Sequence, residues 1–162
     1  MPKEAISNTS PIQYLFQADC FDILPQLYES VIVPQGVASE LAAGQALGVL
    51  LPDLSAYDWI QIQSAPHLEI LPLAADLGQG EREVLSLAVS RPEAVALLDD
   101  SLARHFGKHL GITLTGTLGV LLKAKQAGHL EVIRPKLDRL QQLGFRLSRQ
   151  THFTVLDIAG ER

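Results

Sequence analysis

The chain has one cysteine, Cys20. That excludes an internal disulfide framework and a thiolate zinc cluster. Its setting, Ala18-Asp19 before and Phe21 after, suits a core or half-buried thiol better than a nucleophile. No apolar run approaches the roughly 20 residues that span a bilayer. The first residues lack the basic start and apolar middle of a signal peptide, so a cytoplasmic protein without membrane contact is expected. There is no internal repeat and no low-complexity segment. Basic residues are scarce in the first hundred positions, with 3 against 14 acidic ones.

What is present begins with that imbalance. Residues 1–100 carry a net charge of −11 and residues 101–162 carry +6, which together give the −5 of the whole chain. Such segregation can steer a polyanion to one face, or it can reflect ordinary solvated helices. Charge alone leaves both readings open. A length of 162 residues supports one domain with a real core.

Short apolar runs alternate with helical patterns along the chain. Strands are expected at 4–7, at "SVIVP" (30–34), at "WIQIQS" (59–64), at "LEILPL", at "AVALLDD" (94–100) and at "ITL". Helices are expected at 11–18 and 20–29, the second interrupted near Pro25. Others follow at 35–46, at "EREVLSLAVSR", at "SLARHFGKHLG", at "LGVLLKAKQAGHL", at about 133–143 and from about 149 onward. In "EREVLSLAVSR", Val84, Leu85, Leu87, Ala88 and Val89 make the apolar stripe. This alternation predicts an α/β fold of three layers, α/β/α, around a mostly parallel sheet. Right-handed crossovers then bring every strand's C-terminal end to one edge, where ligands of open α/β sheets bind.

Four chemically distinctive positions fall at that edge. Asn8 follows the first strand, in "AISNTSPI", with Ser10 expected to cap the next helix and Pro11 to fill its first position. Glu40 lies in the helix after "VIVP", and Glu81 opens the helix after "LGQG". Asp99 and Asp100 end the strand "AVALL". Taken singly, Glu81 can serve the helix dipole, Asp100 can be an N-cap and Glu40 can be a solvated helix residue. Taken together, the acids invite repulsion that a hard divalent cation such as Mg²⁺ or Mn²⁺ relieves.

The ordered set "ISNTSPIQYLFQ", "VIVPQGVASEL", "LGQGEREVLSLAV", "ALLDDSLARHFGKHLGITLTGTLGVLLKAKQAGHL" and "LDRLQQLGFRLS" resembles the PIN-domain superfamily. The likeness is to the branch of small bacterial and archaeal proteins, largely uncharacterised, that are taken for toxin nucleases. It covers roughly residues 5–148, giving a PIN-like domain at 1–148 and a C-terminal helix at 149–162. It implies a Mg²⁺- or Mn²⁺-dependent ribonuclease, a hydrolase acting on RNA, often as the toxin of a toxin–antitoxin pair. The family's acidic positions fall on Asn8, Glu40, Glu81 and Asp100, with Asp99 beside the last. Thr9 and Ser10 match its small hydroxyl residues. Asn8 departs from the pattern, which has aspartate there. An amide oxygen can ligate Mg²⁺ but lacks the charge that holds the ion and lowers its water's pKa. Two readings follow: a working site with one weaker ligand, or a weak or inactive module that binds RNA or a protein partner. A third stays open, a generic α/β protein whose acids are caps and ion pairs.

Lys123, Lys125, Arg134 and Lys136 are the candidates for holding the RNA backbone. Arg104, one helical turn past the acids, is expected to form an ion pair buttressing Asp100, with phosphate contact as the alternative. His105 and His109 read as surface or packing residues, since no HExxH motif or thiolate accompanies them. "GTLG" (116–119) can offer N–H groups to a phosphate but is no Walker motif. Two apolar stripes remain. Leu130, Ile133, Leu137, Leu140 and Leu143 read first as core, and Phe153, Val155, Leu156 and Ile158 must cover something. PIN-domain relatives commonly pair, so the resemblance implies a homodimer. The 149–159 helix is expected to dock on the core or on the second subunit, with an antitoxin-like partner as the alternative.

Overall fold

The structure, a computed structural model, describes residues 2–66 and 76–162. Five parallel strands form one sheet: β1 (Glu4–Ser7), β2 (Ser30–Pro34), β3 (Ile60–Gln63), β4 (Val95–Leu97) and β5 (Thr113–Thr115). Their order is β3-β2-β1-β4-β5. The α-helices are α1 (Thr9–Gln17), α2 (Ile23–Leu27), α3 (Gln35–Ala46), α4 (Gln79–Ser90), α5 (Ser101–His109), α6 (Thr117–Gln126), α7 (Arg134–Gln142) and α8 (Arg149–Ile158). The arrangement is the three-layer α/β/α fold of a parallel sheet covered by helices. The expected strand "LEILPL" lies outside the described residues.

The central strands are apolar because helices cover both their faces. Ala5, Ile6, Ile32, Val33 and Val95 to Leu97 are fully buried. At the sheet's margin the alternating sequence of β3 does not give alternating burial: Ile60 is half-buried, while Gln61 and Ile62 are both exposed, Ile62 by 47%. Register is fixed by Ala5 opposite Val31 on one side and Val95 on the other. α4 packs across β1, β2 and β4, with α3 and α5 as neighbours, while α6 meets α1, α2 and α8. Val84, Leu85, Leu87 and Ala88 are α4's buried stripe, but Val89 falls outside it and is 37% exposed.

The chain builds β1, β2 and β3 outward in one direction, then returns to place β4 on the other side of β1. The gap beyond the ends of β1 and β4 is therefore the topological switch point. The Asn8 N–H donates to the Leu97 carbonyl (3.1 Å) and closes the two strand ends together.

The C-terminal residues are part of this body. Val155 and Leu156 of α8 are buried, as are Ile133, Leu137 and Leu140. Ile133, Leu137 and Leu140 of the stripe beginning at Leu130 are thus core, with Leu130 and Leu143 half-buried against it. The Glu161 carboxylate accepts from the Lys125 Nζ (2.6 Å) and from the N–H groups of Ile133 (2.6 Å) and Arg134 (3.1 Å). One side chain past α8 thereby caps α7 and pairs with α6.

Candidate active site

α1 starts two residues earlier than the residue types suggest. Asn8 occupies the N-cap position, Thr9 is the first helical residue and Pro11 sits third. Proline is tolerated there because that N–H has no partner within the helix. Ser10 does not cap the helix; its hydroxyl donates to Asp99 (2.7 Å). Asn8 makes no capping bond either. Its side chain turns toward α4, where a Cβ on Gly80 would stand 3.0 Å from the Asn8 Oδ1, 3.1 Å from Val37 and 3.6 Å from the Glu40 Oε2. Gly80 is the residue that lets the amide and the carboxylate approach one helix together. Thr9 donates to the Glu40 Oε2 (2.9 Å) and fixes that side chain from α1.

Glu81 stands in the first turn of α4. Burial is the main cause that raises its carboxyl above the usual pKa, and repulsion from Asp100 and, more weakly, Glu40 adds to it, while a backbone hydrogen bond at Gly78 pulls the other way. Three carboxylates from three elements therefore share one electrostatic neighbourhood. Among the described residues, none of Glu40, Glu81, Asp99 and Asp100 has an ion-pair partner. Asn8, Glu40, Gly80 and Glu81 line a cleft of ≈ 640 Å³, with Gln13 and Tyr14 of α1 on its other wall.

Asp99 and Asp100 have separate tasks. Asp100 caps α5, accepting from the Ala103 N–H (2.9 Å) through one oxygen. Asp99 accepts from Ser10, from the Thr117 N–H (2.8 Å) and from the Thr117 hydroxyl (2.7 Å). It ties the starts of α1 and α6 to the end of β4. The first N–H of "GTLG" that a phosphate would use is thus taken by Asp99, and a Cβ on Gly116 would stand 2.7 Å from the same carboxylate.

Other expected roles move. Arg104 donates to the Leu98 carbonyl (3.0 Å) and forms no ion pair with Asp100. Lys125 is paired with Glu161, Arg134 donates to the Glu161 carbonyl (3.0 Å), and Lys136 donates to the Ala18 carbonyl (2.8 Å). Three of the four expected phosphate contacts are engaged in holding the fold, and only Lys123 keeps no such partner among the described residues. His105 and His109 are exposed and meet edge to face, ring centroids 4.6 Å apart.

Glu83 and Gly80 went unread in the sequence. The Glu83 Oε1 accepts from the Gly36 N–H (3.0 Å) and caps α3, whose own cap position is Pro34 and has no side chain to offer. The signal was there: a helix opened by proline needs its cap from elsewhere.

The donors at the strand edge are oxygen atoms throughout, the set hard divalent ions take. Among the described residues, no three His, Cys, Asp or Glu side chains converge on one point closely enough to hold an ion directly.

A parallel sheet with acids near its switch point is the setting in which open α/β folds place their sites. A PIN-domain family model matches residues 4–161, and the chain belongs to that family. The match runs through α8, past the point where the quoted motifs end. PIN domains generally use divalent metals. No curated protein matches the chain. Among the described residues no helix is long and apolar enough to cross a membrane.

Proposed function

We propose that this chain is a Mg²⁺- or Mn²⁺-dependent endoribonuclease whose centre is Asn8, Glu40, Glu81 and Asp100. The observation that carries the reading is the cleft that brings Asn8, Glu40 and Glu81 together, with no cation of the protein paired to either acid among the described residues. The wide spacing of these groups suits an ion that keeps much of its water shell, as Mg²⁺ does. When bound, such an ion supplies an activated water and neutralises charge on the phosphoryl oxygens. The chain's own residues do the rest. Thr9 holds Glu40 in place, Asp100 is fixed by its capping bond, and Glu81 faces the same cleft from the first turn of α4. Asp99 serves as the tie between β4, α1 and α6 rather than as a ligand. A toxin role, an antitoxin and a homodimer rest on the family likeness.

Asn8 carries a second reading, a module that keeps the fold and binds RNA with little or no cleavage. One experiment separates the two: cleavage of single-stranded RNA with Mg²⁺ or Mn²⁺ from pH 6 to 9, for the native chain and for Asn8→Asp. Cleavage by the native chain, abolished by Asp100→Asn, supports the enzyme. Cleavage only after Asn8→Asp assigns the native chain to binding. No cleavage by either form overturns the nuclease reading.

A further inference from the structure

We propose that the groove between α7 and α8 binds single-stranded RNA, with Phe153 as a base-stacking platform, Arg149 and Arg162 as phosphate contacts, and Arg134, held by the Glu161 carbonyl, at its rim. The groove, of ≈ 540 Å³, contains these four residues with Gln141 and the buried Leu156 beneath, and no acidic residue lines it. An adjoining hollow, also ≈ 540 Å³, shares Arg149, Phe153 and Arg162 and is lined by one acid, Asp157. The groove lies in the part of the chain, residues 101–162, that carries a net charge of +6.

The aromatic ring is the second observation. Phe153 is 51% exposed, while Val155 and Leu156 on the same helix are buried. The fold does not use the outer part of that ring. The Arg162 guanidinium stands over it, 5.9 Å from the centroid. A flat cation on a ring face is the geometry a nucleobase also adopts. Arg149 has no carboxylate within ion-pair distance among the described residues, so its charge is available, whereas Arg134 is held by the Glu161 carbonyl. Arg162 has only Asp157, at 3.6 Å with both side chains 64% exposed, a contact a phosphate can replace.

An exposed aromatic ringed by arginine is what sequence-tolerant binding of single strands requires: π-faces for bases and cations for the backbone. An acidic amphipathic peptide would need a longer apolar floor than one half-exposed phenylalanine over Leu156. The proposal takes from the preceding section only that RNA is the ligand. The groove shares no lining residue with the acidic cleft.

The test is fluorescence anisotropy with a labelled single-stranded oligouridine in EDTA, where no metal-dependent cleavage occurs. Phe153→Ala should weaken binding about tenfold, in the range seen for loss of one stacked base. Phe153→Trp should bind at least as well as the native chain, and Phe153→Leu should bind as poorly as the alanine variant. Arg149→Glu should weaken binding and reduce its salt dependence. A fully paired duplex of the same length should bind more weakly, since its bases are not free to stack. Native-like binding by Phe153→Leu overturns the proposal. So does a polyglutamate peptide that displaces the RNA with the same dependence on Phe153, which would assign the groove to an acidic protein. Binding that behaves as expected beside a chain that never cleaves counts against the nuclease reading alone.

Discussion

The hydroxyl of Ser10 and the carboxylate of Asp99 are 2.7 Å apart, a bond between residues 89 positions distant in the chain. With Thr117 it leaves Asp99 satisfied by three donors, while its neighbour Asp100 keeps one oxygen without a partner. Asp99→Ala should therefore destabilise the fold by about 2–3 kcal/mol, the scale for breaking charged hydrogen bonds and leaving their donors unmade. Asp100→Asn should cost less in a thermal melt and more in Mg²⁺ response. Equal melting midpoints for native and Asp99→Ala would remove the distinction between the two acids.

Glu81 and Glu161 should respond to pH with opposite signs. Burial, then Asp100 and Glu40, raise Glu81 in the folded chain above its ordinary 4.5. Its stabilising contribution is full below 4.5 and is lost as pH rises through the folded value. Glu81→Gln should thus melt higher than the native chain at neutral pH, with the gain fading in acid. For Glu161, partial burial works upward, but Lys125 and the N–H groups of Ile133 and Arg134 hold it below 4.5. Its contribution is present above 4.5 and is lost as pH falls through the lowered value. Glu161→Gln should melt lower at neutral pH and converge with the native chain in acid. Melting midpoints of the three proteins across pH 3 to 8 read both effects.

Gly80→Ala places a methyl group 3.0 Å from the Asn8 Oδ1 and 3.1 Å from Val37. Overpacking of this kind costs about 1–3 kcal/mol, more than alanine's helix propensity returns in a first turn. The expected result is a lowered melting midpoint, and a smaller rise in that midpoint on adding Mn²⁺.

The Tyr28 hydroxyl is buried with no hydrogen-bond partner, and burial pushes its pKa up to about 12. Removing an unsatisfied polar atom is neutral or favourable. Tyr28→Phe should match or exceed the native stability by up to about 1 kcal/mol in urea titration.

Much of the fold was legible because buried parallel strands announce themselves. "SVIVP" forms β2 at the residues expected, and the glycine at 111 stands at φ 74° just past α5. The gathering of Asn8, Glu40 and Glu81 on one cleft was legible too, since strand-to-helix junctions all reach the same edge. What spacing does not reveal is which partner a side chain chooses. Ser10 looks like a cap and serves Asp99; Arg104 looks like a carboxylate's partner and serves a carbonyl. Lys125, Arg134 and Lys136 form a basic run in the sequence, but contacts 27 to 118 residues away claim them. Such pairings are set by tertiary distance, which local pattern does not encode.

The position of β1 in the middle of the sheet has a consequence for the growing polypeptide. Its inner edge faces β4, so Ala5 waits for Val95 to be made. Asp99 then waits for Thr117, and the turn at Ile133 waits for Glu161. A ribosome must deliver nearly every residue before the strand edge closes around its acids. Chains abandoned early in translation carry Asn8, Glu40 and even Glu81 but cannot bring them into register with Asp100. Register among these four residues thus depends on segments made late, and a truncated product lacks it.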